Sequence, residues 1–266
     1  MGLYETGIRP LVDHYLLEKS KEVRDYGEYW SASSAGYCMR KVIFDRLGVP
    51  PVTEDARKQR VFESGHIFHE WMQRITKDAG LSIAQELELQ DEKLMIRGHI
   101  DDLVLADKNL ILYDYKTQNS RAFSYKRPNM SHYHKMQLGT YMYMIRKNGI
   151  TAPYEEDEDG VETQFSKAKR LVNLTEARIL KISKDDLRMS EEQLLWTPQL
   201  EKEVVGYWST LNGYWKARKI PKCTCADYEG GFMARQAYNP YFYEDEPCSL
   251  AWLKKWKEEQ GAAVQA

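Results

Sequence analysis

The sequence contains no apolar run approaching the roughly 18 residues that a membrane-spanning helix needs, so nothing in it reads as a bilayer segment. Its first residues, Met1-Gly2-Leu3-Tyr4-Glu5, lack the basic and then apolar pattern of a secretion signal, and a cytoplasmic, reducing location is the expectation. Cysteine is scarce, with four in 266 residues. In a reducing compartment these are thiols or metal ligands rather than structural disulfides. A charge excess is missing too: 38 Lys and Arg stand against 40 Asp and Glu, a formal −2. That excludes a histone-like basic coat but leaves room for a local basic strip beside a carboxylate cluster. Repeats and low-complexity tracts are absent. The 42% hydrophobic and 12% aromatic residues suffice for a core and exclude global disorder.

Helical spacing of Ile8, Leu11, Val12, Tyr15, Leu16 and Val23 predicts a helix over residues 8–26. Ser31 to Ser34 read as the N-cap of a second helix, running to about Leu47 and stopped by Gly48 and Pro50. A third is expected from about Arg60 to Asp78, with Phe62, Phe68, Met72 and Ile75 facing inward. Ile83 to Gln90, Leu94 to Leu105 and Leu110 to Lys116 alternate or run apolar as strands do, with turns at Asp91 to Lys93 and Asp107 to Asn109. A helix over Ser131 to Lys147 closes at Asn148-Gly149. The acidic residues from Glu155 to Glu162 read as a solvated loop. Arg178 to Ser183 reads as a strand, with Arg170 to Leu174 as its candidate partner. A long helix over Ser190 to Lys219 and an irregular, aromatic-rich tail from Pro221 complete the chain. The organisation expected is one domain in three parts: a helical part over 1–60, a core over 61–190, and a long helix with its tail over 191–266. The class is α/β or α+β.

The densest signal is Gly98-His99-Ile100-Asp101-Asp102 followed by Tyr113-Asp114-Tyr115-Lys116. Side chains alternate along a strand, so Asp114 and Lys116 share a face while Tyr115 takes the other. A short hairpin can bring Asp101 beside them. Asp102 cannot face the same way on a regular strand, and the spacing from Gly98 favours Asp101. Two carboxylates and an ammonium at one end of a sheet suit phosphodiester hydrolysis. Oxygen ligands hold Mg²⁺ or Mn²⁺, which polarises a phosphate and acidifies a water. The lysine stabilises phosphate charge or positions the water. An isolated D-x-K arises by chance in most proteins; G-x-x-D on the preceding strand makes this one more specific. His66 and His69 lie on adjoining parts of one helix surface, and either could reach a metal. Gln137 and Tyr141 share a helix face at i and i+4. Glu86 and Glu88 share a strand face and are further candidates for the site.

Taken in order, Gly65-x-x-x-His69, G-x-x-D at 98–101, D-Y-K at 114–116 and Q-x-x-x-Y at 137–141 resemble the RecB-like exonuclease branch of the PD-(D/E)xK nuclease superfamily, over about residues 30–220. The resemblance implies an α/β fold with a restriction-endonuclease-like core, a mixed central sheet flanked by helices, plus an N-terminal helical part and a cysteine-bearing C-terminal tail. It implies that His69, rather than His66, ligates metal together with Asp101, Asp114 and the backbone carbonyl of Tyr115. Lys116 is then the catalytic lysine, and Gln137 and Tyr141 position DNA and support the active site. The implied activity is hydrolysis of DNA by a Mg²⁺- or Mn²⁺-dependent exonuclease.

Cys38 lies early in the chain, and Cys223, Cys225 and Cys248 lie late. Four cysteines suit either an iron–sulfur cluster or tetrahedral zinc, and such a centre would tie an irregular tail to the core. One early and three late cysteines, with the segment Ser33 to Lys41 around the first, resemble the iron–sulfur nucleases of CRISPR adaptation and of AddB type. That resemblance implies a structural [4Fe–4S] cluster, with zinc as the alternative. The C-x-C pair followed by 22 intervening residues departs from the compact C-x-x-C and nearby third cysteine of that group. It points to an inserted loop over Asp227 to Pro247.

After the Asp114 strand, Arg121, Lys126, Arg127, His132, His134 and Lys135 are interleaved with Phe123, Tyr125 and Tyr133. Basic groups contact phosphates and rings stack on unpaired bases, so Arg121, Lys126, Arg127 and Lys135 are the candidate DNA contacts. No base-reading motif is visible, and binding is expected to be sequence-independent. Recombination or replication proteins are the expected partners. Two rivals stay open on the sequence alone: a non-catalytic DNA-binding or scaffolding subunit, and an endonuclease or DNA-end processor working with partner proteins.

Overall fold

The computed structural model describes residues 7–21, 27–53, 55–106, 109–124, 130–150, 173–227 and 239–265. Among them run α1 (Ile8–Lys21), β1 (Trp30–Ser31), α2 (Met39–Arg46), α3 (Ala56–Asp78), β2 (Ser82–Asp91), β3 (Ile96–Ala106) and β4 (Asn109–Gln118). Then come α4 (Ser120–Ser124), α5 (His132–Asn148), β5 (Glu176–Ser183), β6 (Met189–Leu195), α6 (Pro198–Lys216) and α7 (Leu250–Gln265). No helix among the described residues is long and apolar enough to cross a membrane. Backbone contacts divide the chain into two compact units: the described residues of 26–36 and 65–212, and those of 1–25, 37–64 and 213–266.

The first of these units carries a single mixed sheet in the order β1-β3-β4-β5-β6, with β2 paired to β3. Along one edge, β3 is antiparallel to β2 from Val104 opposite Ser82 to Ile96 opposite Asp91. Its other edge is shared. β4 pairs with it from Ala106 opposite Asn109 only as far as Asp102 opposite Tyr113, and the short β1 runs parallel to it at Ile96 and Arg97. Between these two partners, Gly98 to Asp101 have no ladder partner on that edge among the described residues. β4 nevertheless continues to Gln118, held by its parallel pairing with β5. The two central strands therefore fork where Asp101 and Asp114 sit. Gly98 is needed in the fork for space, since a Cβ there would lie 2.8 Å from the Ala32 Cβ and 3.1 Å from the Tyr141 ring.

Helices cover both faces. α3 packs Met72, with Phe68 and Trp71 beside it, onto Tyr113, Tyr115, Leu180 and Ile182. α5 lies on the face to which Asp114 points. It starts at Ser131, whose hydroxyl accepts from His134 N, ends at Gly149 with φ 72°, and buries Met136, Leu138, Tyr141 and Ile145. One buried carboxylate ties α3 to three strands. Asp102 of β3 accepts from Thr76 Oγ1 on α3 at 2.5 Å, from Ser82 Oγ on β2 at 2.6 Å and from the Tyr115 hydroxyl on β4 at 2.9 Å.

The other unit centres on Phe44, Val49, Tyr241 and Leu253 packed around Cys38, Cys225 and Cys248. Tyr241 meets Phe44 edge-on, with centroids 5.3 Å apart, and its hydroxyl donates to Asp45 at 2.6 Å. Trp252 Nε1 donates to the Pro50 carbonyl at 2.9 Å.

Several local expectations need correction. Ser31 to Ser34 do not cap a helix: Trp30–Ser31 joins the sheet, Ala32–Ser34 forms a 3₁₀ turn, and α2 starts only after Cys38. Gly36, at φ 77°, breaks any continuous helical path between them. Phe62 and Ile75 are not inward-facing but 61% and 42% exposed. Residues 189–195, expected to open a long helix, form the edge strand β6. Their helix-favouring Glu191 and Glu192 are drawn to β5 by ion pairs with Arg178, at 2.9 Å, and with Lys181. β5 accordingly pairs with β4 and β6; Asn173 and Leu174 are not in a strand, and residues 170–172 lie outside the described residues. The acidic stretch 155–162 and residues 22–26 also lie outside them. The tail is not wholly irregular, since the apolar Trp252, Leu253 and Trp256 place α7 against the unit's core.

Replacing Asp102 with alanine removes the shared acceptor of three hydroxyls and leaves the buried Tyr115 hydroxyl without it, and should cost about 3 kcal/mol of stability. Chemical denaturation of Asp102→Ala against the native chain measures this; an unchanged midpoint would mean the network is dispensable.

Candidate active site

At the fork, Tyr115 N–H has lost its strand partner and donates instead to Asp101 Oδ2 at 2.7 Å. The same oxygen lies 3.5 Å from Nδ1 of His69, which α3 delivers from above the sheet. His69 also stands edge-on to the Tyr115 ring, with centroids 6.0 Å apart. One strand over, Asp114 is 3% exposed. Its Oδ1 accepts from Lys116 Nζ at 2.9 Å and from Gln137 Nε2 on α5 at 3.0 Å. Its buried Oδ2 accepts no hydrogen bond, although the Lys116 ammonium is 2.8 Å away. The structure thus brings together His69, Asp101, Asp114, Tyr115, Lys116 and Gln137.

One residue absent from the sequence-based expectation, Gln73, also reaches the cluster, together with Glu86, one of the two further candidates. Gln73 Nε2 donates to the Asp101 carbonyl at 3.0 Å and to Glu86 Oε1 at 2.7 Å. Gln73 follows His69 by one helical turn, and that i, i+4 spacing was the available signal. Glu86 has φ 48°, an irregularity that turns it toward α3, and its charge bears on both Asp101 and His69. Glu88 goes elsewhere, to Arg97 at 2.8 Å and His99 at 3.5 Å.

The other named residues are placed differently. Tyr141 is buried against Gly98, where its ring backs the open stretch of β3. Lys135 is paired with Glu203 at 2.6 Å. Arg121 is exposed on α4, just beyond the end of β4. Lys126 and Arg127 lie outside the described residues.

Burial first, and then the charge of Asp114, hold the Asp101 carboxyl well above the usual carboxylate range, against the pull of Lys116 and the Tyr115 N–H. Burial, followed by the Lys116 charge, pushes His69 down, toward the neutral form that can ligate a metal. Carboxylate oxygens with one imidazole form a donor set that could hold a hard divalent cation, and the unbonded Asp114 Oδ2 fits that use. Among the described residues, the group of ligand atoms lying wholly within 4.8 Å of one another is Cys38, Cys223, Cys225 and Cys248, in the other unit.

The sequence profile of the PD-(D/E)XK nuclease superfamily matches residues 82–227. The chain belongs to the PD-(D/E)XK nuclease superfamily. Among solved structures, it is similar to that of SSO0001, with 14% identity over 82% of this chain and 91% of that one, at a TM-score of 0.47. LHK-Exo in complex with dAMP matches with 14% identity over 68% and 78% of the two chains, at a TM-score of 0.42. The alkaline exonuclease LHK-Exo from Laribacter hongkongensis matches with 13% identity over 72% and 93%, at a TM-score of 0.38. These are distant likenesses, and no curated protein matches the chain.

A raised carboxyl destabilises the fold as it ionises. The native state then binds more protons than the unfolded chain, so stability falls as pH rises from the ordinary carboxylate range through the raised value of Asp101. Asp101→Asn, which keeps an acceptor for Tyr115 N–H, should therefore stabilise the metal-free protein at pH 8 by at least about 1 kcal/mol and have much less effect near pH 4. Thermal melts in chelator at both pH values test this; a variant less stable than the native chain at pH 8 would contradict it.

Proposed function

We propose that this protein is a metal-dependent deoxyribonuclease that works on DNA ends as an exonuclease. The observation that carries the reading is the fork itself, where Asp101 caps the freed Tyr115 N–H and stands with His69, Asp114, Lys116 and Gln137 in a chain of the nuclease superfamily. Asp101, Asp114 and His69, with the Tyr115 carbonyl, would hold Mg²⁺ or Mn²⁺. Bound there, such an ion polarises a phosphate and lowers the pKa of an attacking water.

The remaining work falls to the chain. Gln137 fixes the Asp114 carboxylate through Oδ1 and leaves Oδ2 for a ligand. Lys116, held at the same carboxylate, can turn its ammonium to a phosphate oxygen or orient the water. Gln73 steadies the Asp101 backbone, and Tyr141 packs against β3 at Gly98. Arg121 would draw the DNA backbone toward this end of the sheet without reading bases, and Lys126 and Arg127 stay candidate phosphate contacts from the sequence alone.

The RecB-like order of motifs supports action at DNA ends, in recombination or replication in the cytoplasm. The order of the cysteines supports a position near the iron–sulfur branch, with the four forming a structural centre rather than a catalytic one. The metal that suits their spacing is a separate question.

End-labelled linear DNA and a covalently closed circle, incubated with the protein in Mg²⁺, Mn²⁺ or chelator, provide the test. Linear DNA should be degraded only with metal, the circle should survive, and Lys116→Ala should lower the rate by at least about a hundredfold. Retained cleavage in that variant would remove the active-site assignment, and cutting of the circle would make the enzyme an endonuclease.

A further inference from the structure

The four cysteine sulfurs all lie within 4.8 Å of one another. Cys38 Sγ is 3.9 Å from Cys223 Sγ, and Cys225 Sγ is 3.5 Å from Cys248 Sγ. This spacing separates the two centres that four thiolates can hold. Around a single tetrahedral ion, metal–sulfur bonds of about 2.3 Å set the sulfurs about 3.8 Å apart. Around a [4Fe–4S] cubane, each thiolate projects outward from its own iron, and the sulfurs stand on the order of 6 Å apart. The distances here match the smaller tetrahedron. A cubane would require these sulfurs to move apart, and Cys38, Cys225 and Cys248 are packed in a core with Phe44, Val49, Tyr241 and Leu253.

We propose that Cys38, Cys223, Cys225 and Cys248 bind one tetrahedral zinc ion and not an iron–sulfur cluster. The surroundings fit a closed structural site: Cys38, Cys225 and Cys248 are 2%, 1% and 0% exposed and Cys223 is half-buried, and four thiolates fill the coordination of a tetrahedral ion. Four thiolates around one divalent ion carry excess negative charge, and the chain disperses it. Thr224 N–H donates to Cys38 Sγ at 3.4 Å, and Asn239 Nδ2 donates to the sulfurs of Cys225 and Cys248, each at 3.4 Å. The Arg40 guanidinium adds a positive charge nearby, bonded to the carbonyls of Pro221 at 2.8 Å and Cys248 at 3.4 Å. Such outer contacts orient ligands and tune a metal site. The C-x-C pair is consistent with this arrangement, because a single ion accepts two neighbouring sulfurs without the reach that separate iron corners demand.

The proposal does not depend on the nuclease reading, and its test does not measure activity. The full chain is produced with both iron and zinc supplied, purified without oxygen, and assayed for metals, acid-labile sulfide and visible absorption. One zinc per chain, no sulfide and a colourless protein are expected. Replacement with Co²⁺ should give the intense visible bands of a tetrahedral thiolate site, and Cys225→Ser should lose the ion and melt at a lower temperature. Four irons with four sulfides per chain and a brown protein would overturn the proposal. So would a folded native chain that takes up neither metal.

Discussion

Where two paired strands part, backbone groups on both lose their partners, and a buried orphan of that kind is costly. Here β3 and β4 diverge beyond Asp102 and Tyr113, and the carboxylate of Asp101 takes up the freed Tyr115 N–H. Much of the arrangement follows from that bond. It fixes an acid at the mouth of the fork, where α3 can bring His69 and the next turn can bring Gln73. Beyond the fork, β1 takes the far end of the same β3 edge, at Ile96 and Arg97. Trp30 of β1 is anchored through Nε1 to Asn212 at 2.7 Å, and the Asn212 amide bonds the Leu94 carbonyl at 2.8 Å.

Asp101 and Asp102 are neighbours with opposite fates. Asp102 points into the packing under α3 and finds hydroxyl donors from Thr76, Ser82 and Tyr115. Asp101 points into the fork and shares the Asp114 charge, with less to offset it. The first carboxylate is saturated and structural. The second is left under electrostatic strain, the condition in which a group gains most from a cation. Alternation along one strand is enough to produce both, because each side of the sheet offers a different set of partners.

The central part of the fold was legible because its signals are local. The strands over 83–116, the helix from Ser131 and its Gly149 stop obey periodicity and capping rules that need no tertiary information. The acidic pair and its lysine were legible for the same reason, since strand alternation alone puts Asp114 and Lys116 on one face. What sequence could not supply was competition between local preference and distant partners. Glu191 and Glu192 favour a helix by themselves, yet Arg178 and Lys181 recruit them into an edge strand. Glu86 and Glu88 read alike as candidates on one strand face, and only the positive φ of Glu86, which sequence does not reveal, separates the two. Four cysteines were visible as a set, but their spacing in space is a property of the packed tail.

That packed tail also constrains the order in which the molecule can be completed. Residues 65–212 form an uninterrupted stretch of one compact unit, so nearly everything the sheet needs leaves the ribosome in a single pass. The cysteine-bearing unit is assembled from separated segments, and Cys38 must wait for a partner 185 residues later in Cys223. Domains fold as units during synthesis, earliest residues first when they can. Here the early segment cannot finish until the late one has emerged, so the sheet can mature while the thiol of Cys38 is still unpaired. During that interval Cys38 lacks the three cysteines that surround it in the folded chain.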